Sequence, residues 1–403
     1  MKKHLLFVIL MLMITALASG CAKPALKCTS PEDNATHHYL QGMKLLEDGR
    51  TNEADAKFER AVYCDEEYSG AYSGAAIVHA MKASESKDPA FRNVHVERAN
   101  EKLRLAWKRA DEPEARFAYH IAVMRAGIIL KPKGWLEDAG DARGDAMKLK
   151  VDETKLIYYD GKEAADYFMG LAYLDAREFQ KARDSFAGVL NTKRDGRWNA
   201  PADRGWKKTD KIVRALAGIT VGDVGNEIAI KETIARGDMA ALLADELKIE
   251  SLFAGRIPVK SEVESMKPEF TPADILNHRF KEEILTAMKW GVRGLEPQYD
   301  PTTKAYLFMP EEAVSRKELA LTLEDVLIKI TGDDKMASAF FGHARSPFPD
   351  VPPSAAWYNA VMNVTTRNIM ETELSGEFRP EAKVDGAEAI LAIRVLRQRM
   401  NIY

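Results

Sequence analysis

One spacing recurs in this chain and narrows what it can fold into. Gly42, Ala54 and Phe58 stand twelve and four residues apart, and Gly170, Ala182 and Phe186 repeat both intervals. Ala61 follows the first set, and Tyr173 sits inside the second. Small residues let two amphipathic helices cross closely, and an aromatic ring fills the gap between them. A helix pair of this kind cannot bury its apolar face alone, so it has to stack on a neighbour. The reading is a mainly α chain that begins as a stack of helix pairs.

These residues resemble the tetratricopeptide repeat. The resemblance runs from about Ala35 to Leu190 and is looser in the middle. There Tyr72 and Ala76 open a copy whose second helix carries Ala99, Leu103 and Ala106. A further helix is predicted from about Glu114 to Leu130, and the stretch KPKGWLEDAGDARGDAM after it reads as irregular. In the repeat family the first helix of each pair lines a concave groove. Carried onto this chain, those positions are Tyr39, Met43 and Leu46 in one copy and Tyr167, Leu171 and Leu174 in the other, with Glu47 and Asp175 as an acidic edge. The resemblance implies a groove for an amphipathic or extended peptide from an unidentified envelope protein. Packing against a neighbouring helix pair is the competing reading of the same residues.

A longer repeat occupies the second half. From Phe348 to Leu396 the chain carries Asp350-Val351, Trp357-Tyr358, Ala360-Val361, Asn368-Ile369, Phe378, Pro380 and Ala387-Glu388. An earlier segment follows the same order with Asp274-Ile275, Phe280, Ile284, Gly291-Val292, Gly294, Phe308, Pro310 and Ser315-Arg316-Lys317-Glu318. A more worn copy has Trp206, Ile212, Gly218-Ile219, Gly222 and Ala235-Arg236-Gly237-Asp238. The copy from Phe348 to Leu396 closely resembles an S-layer homology domain, and three copies are what that family uses to build one pseudo-threefold helical unit.

The resemblance points to one residue per copy. Ser315 and Glu318 are spaced as a capping box, which explains them whatever the protein does. Arg316 lies between them, where the family has an arginine that faces the grooves between repeats and contacts acidic or pyruvylated cell-wall sugar. A helix start with free amides and a fixed guanidinium beside it suits a carboxylate or phosphate. The expected polymer-binding residues are therefore Arg236 and Arg316, their helix-start partners Asp238, Ser315 and Glu318, and the groove-lining Trp206 and Trp357. The third copy has Asp385-Gly386-Ala387-Glu388, a capping box without an arginine.

The first 21 residues, MKKHLLFVILMLMITALASGC, pair two lysines with a short apolar run closed by small residues, the pattern of an export signal. Cysteine directly after the small residues resembles a bacterial lipobox, which implies lipid on Cys21 and, with Ala22 following it, an outer-membrane destination. The expected organisation is a signal peptide over 1–20 and a lipidated cysteine with a flexible linker over 21–34. Tetratricopeptide-like repeats then fill 35–200, and S-layer homology copies fill 201–250, 268–330 and 346–400. No later run is long and apolar enough to span a membrane. Outside the cytoplasm Cys28 and Cys64 are able to form one disulfide, although their separation in space is not readable from sequence.

A net charge of −3 with interspersed signs offers no basic face, which argues against nucleic acid as a partner. The histidines are scattered apart from His37-His38, whose side chains diverge on a helix, so no metal is expected. No phosphate loop, nucleophile elbow or Cys-x-x-Cys is present, and no cofactor is expected. The function expected is a non-catalytic, lipid-anchored envelope scaffold that joins the membrane to an envelope polysaccharide and a protein. An assembly or secretion accessory whose two halves both bind protein is the main rival. An envelope-sugar hydrolase hidden near residues 131–147 is the enzymatic one, and it needs two carboxylates about 5–9.5 Å apart.

Overall fold

The computed structural model describes residues 27, 28, 30–217, 222–254 and 266–400. Cys21 and the apolar leader lie outside the described residues, as do Gly218 and Ile219. The chain is mainly helical, 62% by residue. It divides into two compact units, one of residues up to Ala172 with Gly188–Ala202, the other of Tyr173–Ala187 with the residues from Asp203 onward.

The first unit is a succession of helices: α1 (Ala35–Glu47), α2 (Thr51–Cys64), α3 (Ser69–Glu85), α4 (Pro89–Lys108), α5 (Pro113–Leu130), α6 (Trp135–Lys148) and the start of α7 (Glu163–Asp175). Their starts are written locally. The Asn34 side chain accepts from the His37 amide, Asp88 accepts from Ala90, and Pro89 and Pro113 occupy first-turn positions where a missing N–H costs nothing. Consecutive helices pack as hairpins, with α1 on α2, α3 on α4 and α5 on α6. Phe58 explains the small residues around it. A Cβ on Gly42 would stand 2.6 Å from its ring and one on Gly74 2.3 Å, so the phenyl wedges between α1, α2 and α3 only because two glycines leave room.

The stretch expected to be irregular is helix α6. Ala139, Ala142 and Ala146 form its buried stripe, while its carboxylates Glu137, Asp138, Asp141 and Asp145 are exposed. They lie on a solvated helix face, not in a cleft. The end of the expected linker is also fixed. Lys27 donates its amide to the Cys64 carbonyl, Cys28 is disulfide-bonded to Cys64, and Asp33 pairs with Arg60 and His38. Those two bonds hold the Asp33 carboxyl down at about 2. The disulfide spans 36 residues, and in the chain-entropy account a loop of that size is worth about 2–4 kcal/mol. Reduction, or Cys64→Ser, is expected to lower the first unit's stability by that amount, read as a shift in the urea midpoint with and without reductant.

The second unit contains most of α8 (Phe179–Asn191) and of α9 (Asn199–Leu216), then α10 (Asp223–Ala229), α11 (Arg236–Ala241), α12 (Ile249–Ala254), α13 (Lys281–Lys289), α14 (Arg316–Thr331), α15 (Tyr358–Thr366) and α16 (Gly386–Arg399). A two-stranded hairpin, β1 (Gln298–Asp300) with β2 (Ala305–Leu307), is inserted between α13 and α14. One continuous apolar core runs through this unit and includes Ile234, Leu243, Phe253, Ile284, Phe308, Leu323, Val361 and Phe378.

Three extended segments, each just ahead of α11, α14 or α16, meet in that core and close a ring of backbone hydrogen bonds. Ile234 donates to Val384 at 2.9 Å, Val384 to Val314 at 3.0 Å, and Val314 to Ile234 at 3.0 Å. Each residue gives one bond and takes one, so the ring satisfies six polar groups that burial would otherwise penalise. This is a pseudo-threefold arrangement of the kind that the S-layer homology resemblance implies, and it aims the first turns of α11, α14 and α16 at three neighbouring loops.

Candidate functional site

Each of those first turns docks on the next segment. The Arg236 and Gly237 amides donate to Glu312 and Pro310, and the Arg316 and Lys317 amides donate to Ala382 and Pro380. The helix-start amides expected to be free for an anion are thus bonded within the protein. Local capping holds the turns in place. Glu318 accepts from the Ser315 amide at 2.6 Å and its hydroxyl at 2.6 Å, and Asp238 accepts from the Ala235 amide at 2.9 Å. Asp238 is buried against Lys231, with both of its oxygens within 2.8 Å of the ammonium. Asp385 caps Glu388 at 2.8 Å, but the reciprocal half of that expected box is missing because the Glu388 carboxylate turns to Arg316.

The two arginines make the same construction twice. Arg236, 2% exposed, donates Nε to the Phe308 carbonyl at 2.9 Å, Nη1 to Gly294 at 2.9 Å and Nη2 to Glu296 at 2.8 Å. Its guanidinium lies 5.0 Å from the Phe308 ring. Arg316 donates Nε to the Phe378 carbonyl at 2.7 Å and Nη2 to Glu371 at 2.6 Å, pairs through Nη1 with Glu388, and lies 4.7 Å from the Phe378 ring. Arg236 commits three N–H groups to the neighbouring loop, whereas Arg316 commits two to its loop and one to Glu388 on α16, and its side chain keeps 11% exposure. Burial pulls both guanidinium groups below their ordinary pKa. Glu312 and Glu318 oppose the shift at Arg236, whereas Arg379 adds to it at Arg316. Arginine stays charged through any physiological shift of this kind.

An aspartate completes each loop, and sequence reasoning gave it no role. Asp274 accepts the amides of Phe308 and Met309 at 3.1 and 2.6 Å, and Asp350 accepts those of Phe378 and Arg379 at 2.9 and 2.6 Å. Met309 and Arg379 both hold φ near +56°, a left-handed turn that the paired amide bonds keep in place. The signal was present as the Asp-Ile and Asp-Val pairs placed ahead of a Phe-x-Pro.

The third junction is built differently. Its helix start is Gly386, whose amide bonds Lys231 rather than the residue equivalent to Glu312 and Ala382. A Cβ at this position would lie 1.7 Å from the Ile228 carbonyl oxygen and 2.6 Å from its carbon. Helix α10 brings its backbone into the space that an arginine stem fills at the other two junctions. The arginine is absent there because nothing larger than hydrogen fits, so the junction is sealed by main chain.

Residues 347–390 match the S-layer homology domain family. Domains of this family are non-catalytic modules that bind envelope polymers, which associates the chain with the cell envelope and its polysaccharide. Comparisons with curated proteins and with solved structures returned no significant match. No helix among the described residues is long and apolar enough to cross a membrane.

The remaining predicted residues separate into two places. Trp357 is half-buried against the core at the start of α15, and Trp206 is half-buried on α9. In the first unit Tyr39, Met43 and Leu46 are buried, not open in a groove. The chain's own 149–162 segment reaches them: Tyr158 bonds Glu47 at 2.6 Å, its ring lies 6.3 Å from Tyr39, and Trp198 donates to the Tyr159 carbonyl at 2.5 Å. Tyr167 and Leu171 are half-buried, Tyr167 with its ring stacked on Trp198, and Leu174 packs on the second unit's core. Cys28, Asp33 and Cys64 bring three ligand-type atoms together, yet both sulfurs are spent in the disulfide.

Proposed function

We propose that the protein is a non-catalytic, lipid-anchored scaffold of the cell envelope. Cys21 carries the lipid, the second unit grips an envelope polysaccharide, and the first unit offers a partner protein the half-buried Tyr167 and Leu171 together with whatever the 149–162 segment releases. The observation that carries this reading is the repeated arginine junction, and the groups that Arg316 bonds, Glu371, Phe378 and Glu388, fall within the segment that matches the S-layer homology family. Arg236 and Arg316 set the loop walls of two junctions, and a polymer lies against those walls beside the half-buried Trp206 and Trp357. Asp238, Ser315 and Glu318 fix the helix starts that aim the arginines. The third junction, sealed at Gly386, takes no polymer.

Two junctions suffice for a tethered protein. A lipid anchor holds the second unit near its polymer at an effective concentration on the order of millimolar, so contacts that are individually weak remain occupied. The test uses the mature full chain with Cys21→Ser, which keeps it soluble, and protein-free cell-wall polysaccharide as the probe. Co-sedimentation is expected. A chain that stays in the supernatant at low salt overturns the reading.

A further inference from the structure

The loop closed by Arg236 is longer than the one closed by Arg316. Phe308 follows Gly291 by seventeen positions, against ten for Phe378 after the equivalent Asn368, and the extra length is the β1–β2 hairpin. Tyr299 pairs directly with Tyr306 across the strands, their rings 5.5 Å apart, and the two are 54% and 57% exposed. Phe270, 40% exposed, places its ring 6.4 Å from Tyr306. The turn is held rigid, because Asp300 accepts from the Thr302 and Thr303 amides at 3.1 and 3.0 Å and from the Thr303 hydroxyl at 2.6 Å. Both feet of the hairpin stand on Arg236, with Gly294 and Glu296 on one side and Phe308 on the other.

We propose that Tyr299 and Tyr306, with Phe270 beside them, form a stacking platform for pyranose rings of the envelope polysaccharide. The proposal rests on the polymer-binding reading of the Arg236 junction and extends it outward. The C–H face of a pyranose packs on an aromatic ring while its hydroxyls stay in water, and a tyrosine pair exposed on one strand face offers that combination of apolar body and wet edge. A protein partner is disfavoured by size. A stable protein interface needs about 800 Å² from each side, and three side chains on a short hairpin fall well below it. The rigid turn means that little ordering cost is incurred on binding.

The experiment compares the mature Cys21→Ser chain with Tyr299→Ser/Tyr306→Ser and with Tyr299→Phe/Tyr306→Phe, using protein-free cell-wall polysaccharide in a co-sedimentation titration. The serine pair is expected to weaken binding about tenfold or more at an unchanged Tm, and the phenylalanine pair to bind within about threefold of the parent. Serine variants that bind as tightly as the parent overturn the platform and leave the junction reading intact. A parent that binds only untreated, protein-containing envelope overturns both and assigns the hairpin to a protein. Equal loss in the serine and phenylalanine pairs also overturns the proposal, because stacking does not need the hydroxyls.

Discussion

Gly386→Ala is expected to unfold the second unit or leave it without its third junction, at a cost above about 5 kcal/mol. Local reasoning points the other way. Position 386 begins helix α16, where alanine is favoured over glycine by about 0.5–1 kcal/mol, and its φ is not one of the positive values that would require glycine. Packing decides the sign. The added carbon would meet the Ile228 carbonyl at 1.7 Å and the Ala229 carbonyl carbon at 3.1 Å, and both atoms belong to backbone that cannot swing aside as a side chain can. Relief requires α10 to withdraw, which breaks the Gly386–Lys231 bond and opens the ring at Ile234 and Val384. Amide exchange of Ile234, Val314 and Val384 reads this directly: all three should be strongly protected in the parent and fast in the variant. A variant as stable as the parent, or more so, would show that helix propensity outweighs the contact.

Local signals in the chain were sufficient for features whose partners are close in sequence. Ser315 and Glu318 are three residues apart and read as a capping box, and Gly42 with Phe58 reads as a close helix crossing because both lie in one hairpin. Helix α6 was missed for a local reason, since Gly140 and Gly144 and four acidic residues mask an alanine stripe that buries one narrow face. The destinations of the Arg236 and Arg316 forks were not legible, because their acceptors lie 55 to 72 residues away on loops whose course no period describes. For the same reason the glycine at 386 looked like a lost binding residue. It is a packing requirement imposed by α10, an element that replaces an open loop in only one of the three copies. The filled groove in the first unit follows this pattern too, since Tyr158 reaches Glu47 across 111 residues.

Arg236→Met should destabilise the second unit by about 3–6 kcal/mol, even though it removes a buried charge and substitutes a side chain of similar length. Replacing a buried ion pair by apolar groups is often neutral because both charges leave together. That exchange is not available here. The partners of Arg236 are the carbonyls of Phe308, Gly294 and Glu296, which remain when the guanidinium is gone, and an unpaired carbonyl costs about 1–3 kcal/mol where it is buried, as at Phe308, and less at the part-buried Gly294 and Glu296. Arg236→Lys should recover only part of the loss, because one ammonium on a flexible stem cannot reproduce a planar fork bonded along three directions. Urea unfolding followed by exchange at Val314 and Val384 separates this unit's transition from that of the helical pairs, which a single global signal does not. The outcome also bears on what the arginine is for. If Arg236→Met lowers polysaccharide binding at unchanged stability, the side chain touches the polymer itself. If stability and binding fall together and Arg236→Lys restores both in the same proportion, it acts through the loop that it holds, and the hairpin tyrosines above it are the surface that the polymer meets.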